Sequence, residues 1–381
     1  MGLNRRSRLG SLVLVACLAV MQLVSCQKTP VVDDPDTQVV APYEGETDQP
    51  EENIENTESD VPEITPEQSV PEEPAFINRL TGLETTEELA SIRPVGIMIN
   101  NIRQATPQQG ISHADVMYEV LAEGGITRLF CLFTDYASLP ETGSIRSSRD
   151  YYIDLADAHD AIYVHCGGSP AAYETLAARK TENMDGIYFS TPFYRNAWRK
   201  KNMGMEHSMM TTGELLVKGI EAKGYRTTSE ATQPLSFHAT FTPLEGEGVT
   251  DAKTIAAKYS YYATSTFDYI EDTHSYLKGQ FGGAHIDSND NSQLTFENVL
   301  LLYAAQGAVK GDDKGRLYVN FYGTGEGVYF TGGKTKPIRW SKESRTSSYT
   351  LYEADGETEL LLNPGRTYIG IPPLDAQITV S

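Results

Sequence analysis

Two arginines three residues apart, Arg146 and Arg149 in GSIRSSRDYYIDLADAHDAIYVHCGGSPAAYE, precede an apolar run that ends in His165, Cys166, Gly167, Gly168, Ser169 and Pro170. Each guanidinium is a planar fork of donors matching the oxygens of a phosphate or carboxylate, so two at one helix entry can converge on a single anion. Gly167 and Gly168 let backbone approach a ligand. Ser169 followed by Pro170 is a helix start whose first N–H groups lie at the positive end of the helix dipole. His165 falls at the carboxyl end of a strand, where open α/β sheets place their sites. Asn100, Glu119 and Arg128 lie in or beside other apolar runs. Glu119, between Tyr118 and Val120, needs a cationic partner if buried, and Arg128 or one of the two arginines could supply it. The same residues would also suit an ordinary strand-to-helix turn, with the arginines paired to Asp150, Asp154 or Glu141.

Catalytic signatures are weaker. The seven histidines are scattered, with no metal-ligand spacing among them. There is no Gly-x-Ser-x-Gly elbow, and Ser147, Ser148 or Ser169 with His165 lack the arrangement of a nucleophile triad. The expectation is an anion-binding set, Arg146, Arg149, His165, Gly167, Gly168, Ser169, Glu119, Arg128 and Asn100, without cofactor or metal and with no catalytic residue assigned.

These residues need a scaffold, and the pattern from about residue 76 to 235 predicts an α/β domain with a mixed sheet. VGIMIN reads as a strand, ADVMYEVLAEGGITRLFCLF as two strands about a Glu-Gly-Gly turn, and DAIYVHC as a buried strand. Helices are expected from Ser147 to about Asp160, after Ser169, and from near Thr212 to Gly224. From 236 to 381 the texture is short period-two runs broken by Gly, Asn and Asp, which predicts a smaller, mainly antiparallel β domain built as an open barrel or sandwich. DAKTIAAKYS is its one helical-looking piece. Cys131 and Cys166 sit in or beside apolar strands and are expected as buried free thiols.

The first 25 residues have basic Arg5, Arg6 and Arg8, then an apolar run from Leu9 to Val24, the layout of a secretion signal. LVSC resembles a bacterial lipobox, which makes Cys26 the lipid-bearing residue and the protein an extracytoplasmic one, anchored to the cell membrane rather than spanning it. Residues 27–75 hold 15 Asp or Glu, one Lys and eight Pro, so residues 26–75 read as a lipidated cysteine and a disordered acidic tether. The formal net charge of −21 argues against a nucleic-acid partner.

RPVGIMINNIRQATPQQGISHADVMYEVLAEGGITRLFCLFTD, the arginine stretch above, and HIDSNDNSQLTFENVLL with GEGVYFTGGKTKPIRWSKESRTSSYTLYEADGETELLLNPGRTYIGI resemble the YerB family of bacterial lipoproteins. That resemblance covers nearly all of residues 92–372 and implies a two-domain, lipid-anchored envelope protein, with no established activity to carry over. MINNIRQ, SHADVMYEVLAE and GSIRSSRDYYIDL also resemble the LytR-CpsA-Psr envelope phosphotransferases, which use arginines and Asp-held Mg²⁺ on a polyprenyl pyrophosphate. Here His113 stands at a family Ser, and Asn101 at the metal-binding Asp. Binding of an envelope glycan phosphate or peptide carboxylate is therefore the leading expectation. The alternatives are an Mg²⁺-dependent transferase of polyprenyl-pyrophosphate-linked glycan and a scaffold docking another envelope protein through the β domain.

Overall fold

Val95–Asn101 (β1), Val116–Leu121 (β2) and Thr127–Phe133 (β3) in the computed structural model are buried at every position, as near-continuous apolar strands must be when both sheet faces are covered. The structure describes residues 76–230 and 234–381. The leader, Cys26 and the acidic segment lie outside the described residues. β3 runs antiparallel between β1 and β2, closing the hairpin read from the Glu-Gly-Gly turn. Ile162–His165 (β4) adds parallel to β1, and Asn183–Asp185 (β5) adds parallel to β4.

The helices begin and end where their caps place them. Asp150–Ala158 (α1) follows Arg149. Pro170–Arg179 (α2) has Ser169 accepting from the Ala172 N–H and Pro170 in its first turn. Gly213–Lys223 (α3) is capped by Thr212 and stops at Gly224, whose φ of +64° is cheap only for glycine. A further short helix, Ala197–Asn202, has no counterpart in the sequence reading; Asn196 caps it.

Beyond residue 235 the chain is mainly antiparallel β. Thr254–Lys258 (β6), Thr264–Ile270 (β7) and Ser275–Gln280 (β8) form successive antiparallel neighbours. β6 corrects the helical reading of DAKTIAAKYS. Ile255 and Ala257 are buried while Thr254 and Lys258 are exposed, and both edges of the strand are hydrogen-bonded. Sheet pairing therefore outweighs the helix preference of its alanines.

The α/β and β regions share a sheet. Asn298–Leu302 (β9), Gly323–Thr331 (β10) and Lys334–Lys342 (β11) belong to it, and Thr367–Ile371 (β12) lies parallel between β9 and β2. The order is β11-β10-β9-β12-β2-β3-β1-β4-β5 within an eleven-stranded sheet. Ile255, Phe267 and Tyr276 of the β6–β8 layer share one core with Ile97, Cys131 and Leu301. On the opposite face Tyr152, Leu155 and Leu176 of the helices pack with Met98, Tyr118 and Phe130. Because β1, β2 and β4 are parallel, their carboxyl ends meet at one edge.

Candidate functional site: an arginine cluster at the carboxyl edge of the sheet

β1 and β4 pair as far as Ile97 and Val164, and residues 144–148 then run between their ends. The Arg146 N–H donates to the Met98 carbonyl at 2.9 Å, and the Cys166 N–H to the Arg146 carbonyl at 3.0 Å. The Ser148 N–H then reaches the Gly167 carbonyl at 2.9 Å, and the Ser169 N–H the Ser148 carbonyl at 3.2 Å. The two stretches RSSR and CGGS are thus zipped side by side by backbone hydrogen bonds.

Their side chains divide. Arg128 opposes Asn100 and Val120 across the β3 ladders, which puts it on the sheet face covered by α1 and α2. Its Nη1 donates to the Ser147 carbonyl at 2.8 Å and its Nη2 to Glu123 at 3.3 Å. Arg149 Nε pairs with the other oxygen of Glu123. Asp150 and Asp154, possible partners for these arginines, instead take Arg345, each at 2.8 Å. Arg146 Nη1 donates to the Glu206 carbonyl at 2.9 Å.

Burial, then repulsion from Arg149, holds the Arg128 pKa below the ordinary arginine range, and burial with repulsion from Arg128 does the same to Arg146. Burial also opposes charge on Arg149, but the hydrogen bond and the charge of Glu123, with Tyr151 and Tyr152, together outweigh it and raise that pKa. Arg128 and Arg149 therefore share the carboxylate of Glu123, while Arg146 feels the repulsion of both arginines and the attraction of exposed Glu206. The Nε atoms of Arg128 and Arg146 are buried with no hydrogen-bond partner among the described residues. Such orphaned charged donors are costly unless something else accepts from them.

The glycine turn is differently occupied. Asp185 Oδ1 accepts from the Gly167 N–H at 2.7 Å and the Ile187 N–H at 2.9 Å, and its Oδ2 takes the Tyr173 hydroxyl at 2.8 Å. An internal carboxylate thus holds the N–H donor that an external anion would need at Gly167. Gly168 bridges to Ser148, and Ser169 is engaged as the α2 cap. His165 is fully buried, bonded to the Gly167 carbonyl at 2.9 Å and Asn183 at 3.2 Å, with its ring stacked on Tyr163. Asn100 meets His207 at 2.8 Å. Cys131 and Cys166 are unpaired.

Glu119 opposes Leu129, so it lies on the face away from Arg128. Its cation is neither Arg128, Arg146 nor Arg149 but Lys278 of β8, at 3.3 Å, with side chains 2% and 0% exposed. Thr127 donates to Oε1 at 2.7 Å, and Ser265 and Tyr368 donate to Oε2 at 2.7 and 2.8 Å. Burial favours the neutral acid, but Lys278 and these donors outweigh it and hold the carboxyl below its usual range. No sequence signal pointed to Lys278, which pairs only once β7 and β8 cover the sheet.

Comparison with known proteins follows the same layout. The family described as proteins of unknown function, DUF3048, matches with its N-terminal domain over residues 80–226 and its C-terminal domain over residues 255–369. A Bacillus subtilis (strain 168) protein whose name calls it a lipoprotein, YerB, is 30% identical over 308 residues, 78% of this chain and 86% of its own. The chain belongs to the YerB-type, DUF3048 family. A crystal structure of YerB from Bacillus subtilis superposes on this family member with TM-score 0.68 at 27% identity, covering 80% of this chain and 99% of that one. In family terms, the arginine cluster and Asp185 belong to the N-terminal domain and Lys278 to the C-terminal one, so the buried Glu119–Lys278 pair joins the two.

Proposed function

We propose that this YerB-type chain is an extracytoplasmic lipoprotein, held to the cell membrane through Cys26, that binds an anionic group of an envelope glycan or peptide at Arg128, Arg146 and Arg149. The observation that carries the reading is the surplus of three clustered guanidiniums over Glu123, with two Nε donors buried and unpartnered. A phosphate or carboxylate oxygen would satisfy those donors and relieve the mutual repulsion of the arginines. The backbone zipper between residues 146–148 and 166–169 supports it by fixing where the arginines stand. Lipid anchoring is supported by the LVSC sequence and by the lipoprotein name of the Bacillus subtilis relative. No helix among the described residues is long and apolar enough to cross a membrane.

The test is thermal unfolding of the detergent-solubilised chain in rising inorganic phosphate and rising glucose 1-phosphate at constant ionic strength. Saturable stabilisation is expected, as for any ligand that binds the folded state, and Arg146→Ala with Arg149→Ala should abolish it. Equal stabilisation of the double variant would remove the site. For the anchor, Cys26→Ser is expected to move the protein from the membrane to the soluble fraction; continued membrane association would exclude lipidation there as the anchor.

A further inference from the structure

The other face of the same sheet edge holds a second feature, unrelated to the arginine cluster. A cavity of about 480 Å³ is lined by Gln108, Gln280 and His285, among others. A second, of about 600 Å³, is lined by Asn101, Thr127, Tyr261 and Tyr262. Arg103 and Phe281 line both, so the two adjoin. Arg103 stands 5.3 Å from the Phe281 ring centroid and donates to the Phe281 carbonyl at 2.6 Å.

Two residues lining the smaller cavity carry buried polar atoms without hydrogen-bond partners among the described residues. Gln280 is 7% exposed and His285 1% exposed. Both polar atoms of the Gln280 amide and Nδ1 of His285 have no partner among the described residues. The protonation of His285 follows from its neighbours. Gln108 Nε2 donates to the Asn100 carbonyl and to Asn101 Oδ1, each at 3.0 Å, which turns Gln108 Oε1 toward His285 Nε2 at 3.1 Å. That nitrogen must carry the proton. Burial, then Lys278, holds the ring neutral by pulling its pKa well below the usual value. Nδ1 is consequently a bare acceptor, and the site asks for a donor to His285 together with a group that can both give to and take from the Gln280 amide.

The larger cavity supplies a different chemistry. Tyr261 is 81% exposed and Tyr262 60% exposed, their ring centroids 4.5 Å apart. Phe281 holds a positive φ of 53° in the tight turn joining β8 to the Gly283–Ala284 strand. That conformation is strained in a residue with a Cβ, and it sets the ring at the wall between the cavities. Aromatic faces with adjacent amide and imidazole groups suit a pyranose ring, whose C–H face stacks while its substituents hydrogen-bond.

We propose that these adjoining cavities form a saccharide site for an oligomer of N-acetylated amino sugars. The acetamido N–H would donate to His285 Nδ1, its carbonyl would accept from Gln280 Nε2, a ring hydroxyl would donate to Gln280 Oε1, and a neighbouring ring would lie on Tyr261 and Tyr262. An acetamido group carries one donor and one acceptor on a small planar unit, matching the bare imidazole nitrogen and the amide Nε2, and the sugar's hydroxyls supply the further donor that Gln280 Oε1 needs. Among the described residues Arg103 is the one fully charged side chain lining either cavity, which fits a neutral or singly acidic sugar rather than a polyanion.

The experiment is calorimetry of the detergent-solubilised full chain with chitotetraose, and with cellotetraose, which has the same linkage but no acetamido groups. Saturable binding of chitotetraose is expected, weakened tenfold or more by Tyr261→Ala with Tyr262→Ala and by Gln280→Leu, and unchanged in Arg146→Ala with Arg149→Ala. Cellotetraose should bind at least tenfold more weakly. The tyrosines are exposed, so their double variant decides the matter even where Gln280→Leu unfolds the chain. No binding of chitotetraose at about 1 mM, the weak end of specific recognition, overturns the proposal. Equal binding of cellotetraose, or tyrosine-variant affinity matching the wild type, does so too.

Discussion

Two charged clusters sit back to back on one sheet edge, and they are finished to different degrees. On the β-domain face, Glu119 has a cation and hydroxyl donors on both oxygens, and Lys278 sits against Glu119 and Ser265. In the arginine cluster, Arg128 and Arg149 share Glu123 with Arg146 beside them, and the Nε atoms of Arg128 and Arg146 are buried without acceptors among the described residues. A fully satisfied buried network specifies how parts fit together; a cationic cluster left short of acceptors is suited to receive one from outside. Proximity to the carboxyl ends of the strands is common to both and does not distinguish them. Satisfaction does.

The sharpest way to break this comparison is Glu119→Ala. It strands the Lys278 ammonium in the core and should lower unfolding free energy by about 3–5 kcal/mol, read from urea denaturation. Glu119→Gln combined with Lys278→Met should lose less than either single change, because the penalty lies in the unpaired charge. A double variant as damaged as the sum of the singles would deny the pair its structural role.

An intermediate effect comes from acid. Burial lowers the His159 pKa from 6.5 to about 3. Between those values the unfolded chain holds a proton that the folded chain does not, so stability falls as pH falls. From pH 7 to pH 5 this group alone removes about 2 kcal/mol. Glu119, with its pKa lowered in the fold, adds a further loss below about pH 4.3. His159→Phe should flatten the slope of urea midpoint against pH between 7 and 5, and an unchanged slope would assign the acid response elsewhere. The smallest effect is expected at the arginine cluster, where Arg146→Ala with Arg149→Ala loses one Glu123 pair but relieves the repulsion on Arg128, so the stability change in phosphate-free buffer should be well below that of Glu119→Ala. A large loss there would make those arginines as structural as Glu119.

What could be read along the chain was whatever local chemistry determines. The strands around Glu123–Gly124–Gly125, the Ser169 and Thr212 caps and the glycine stop of α3 all follow from spacing and capping groups within a few residues. Arg146 and Arg149 could be singled out because two rigid donors at one helix entry are visible in a window of four residues. Asp185 and Lys278 could not. Each reaches its partner through folding, Asp185 by way of a parallel strand beyond α2 and Lys278 by closure of a layer from the other domain. The β6 segment failed for the same reason, its alanines favouring a helix until two strands pair with it. The orphaned Gln280 amide has no sequence mark, since a missing partner appears only when all neighbours are in place.

The placement of Thr367–Ile371 has a consequence for how the protein is made. The strand at the middle of the shared sheet is next to last in the chain. A polypeptide emerging amino end first must therefore wait, with β2 and β9 each presenting an unpaired apolar edge, until residues 367–371 have arrived. Sheets closed by such distant segments form slowly, and open edges invite mispairing. Chains interrupted before Thr367 would thus carry their own mark of incompleteness, a gap at the sheet centre that proteases and chaperones can recognise.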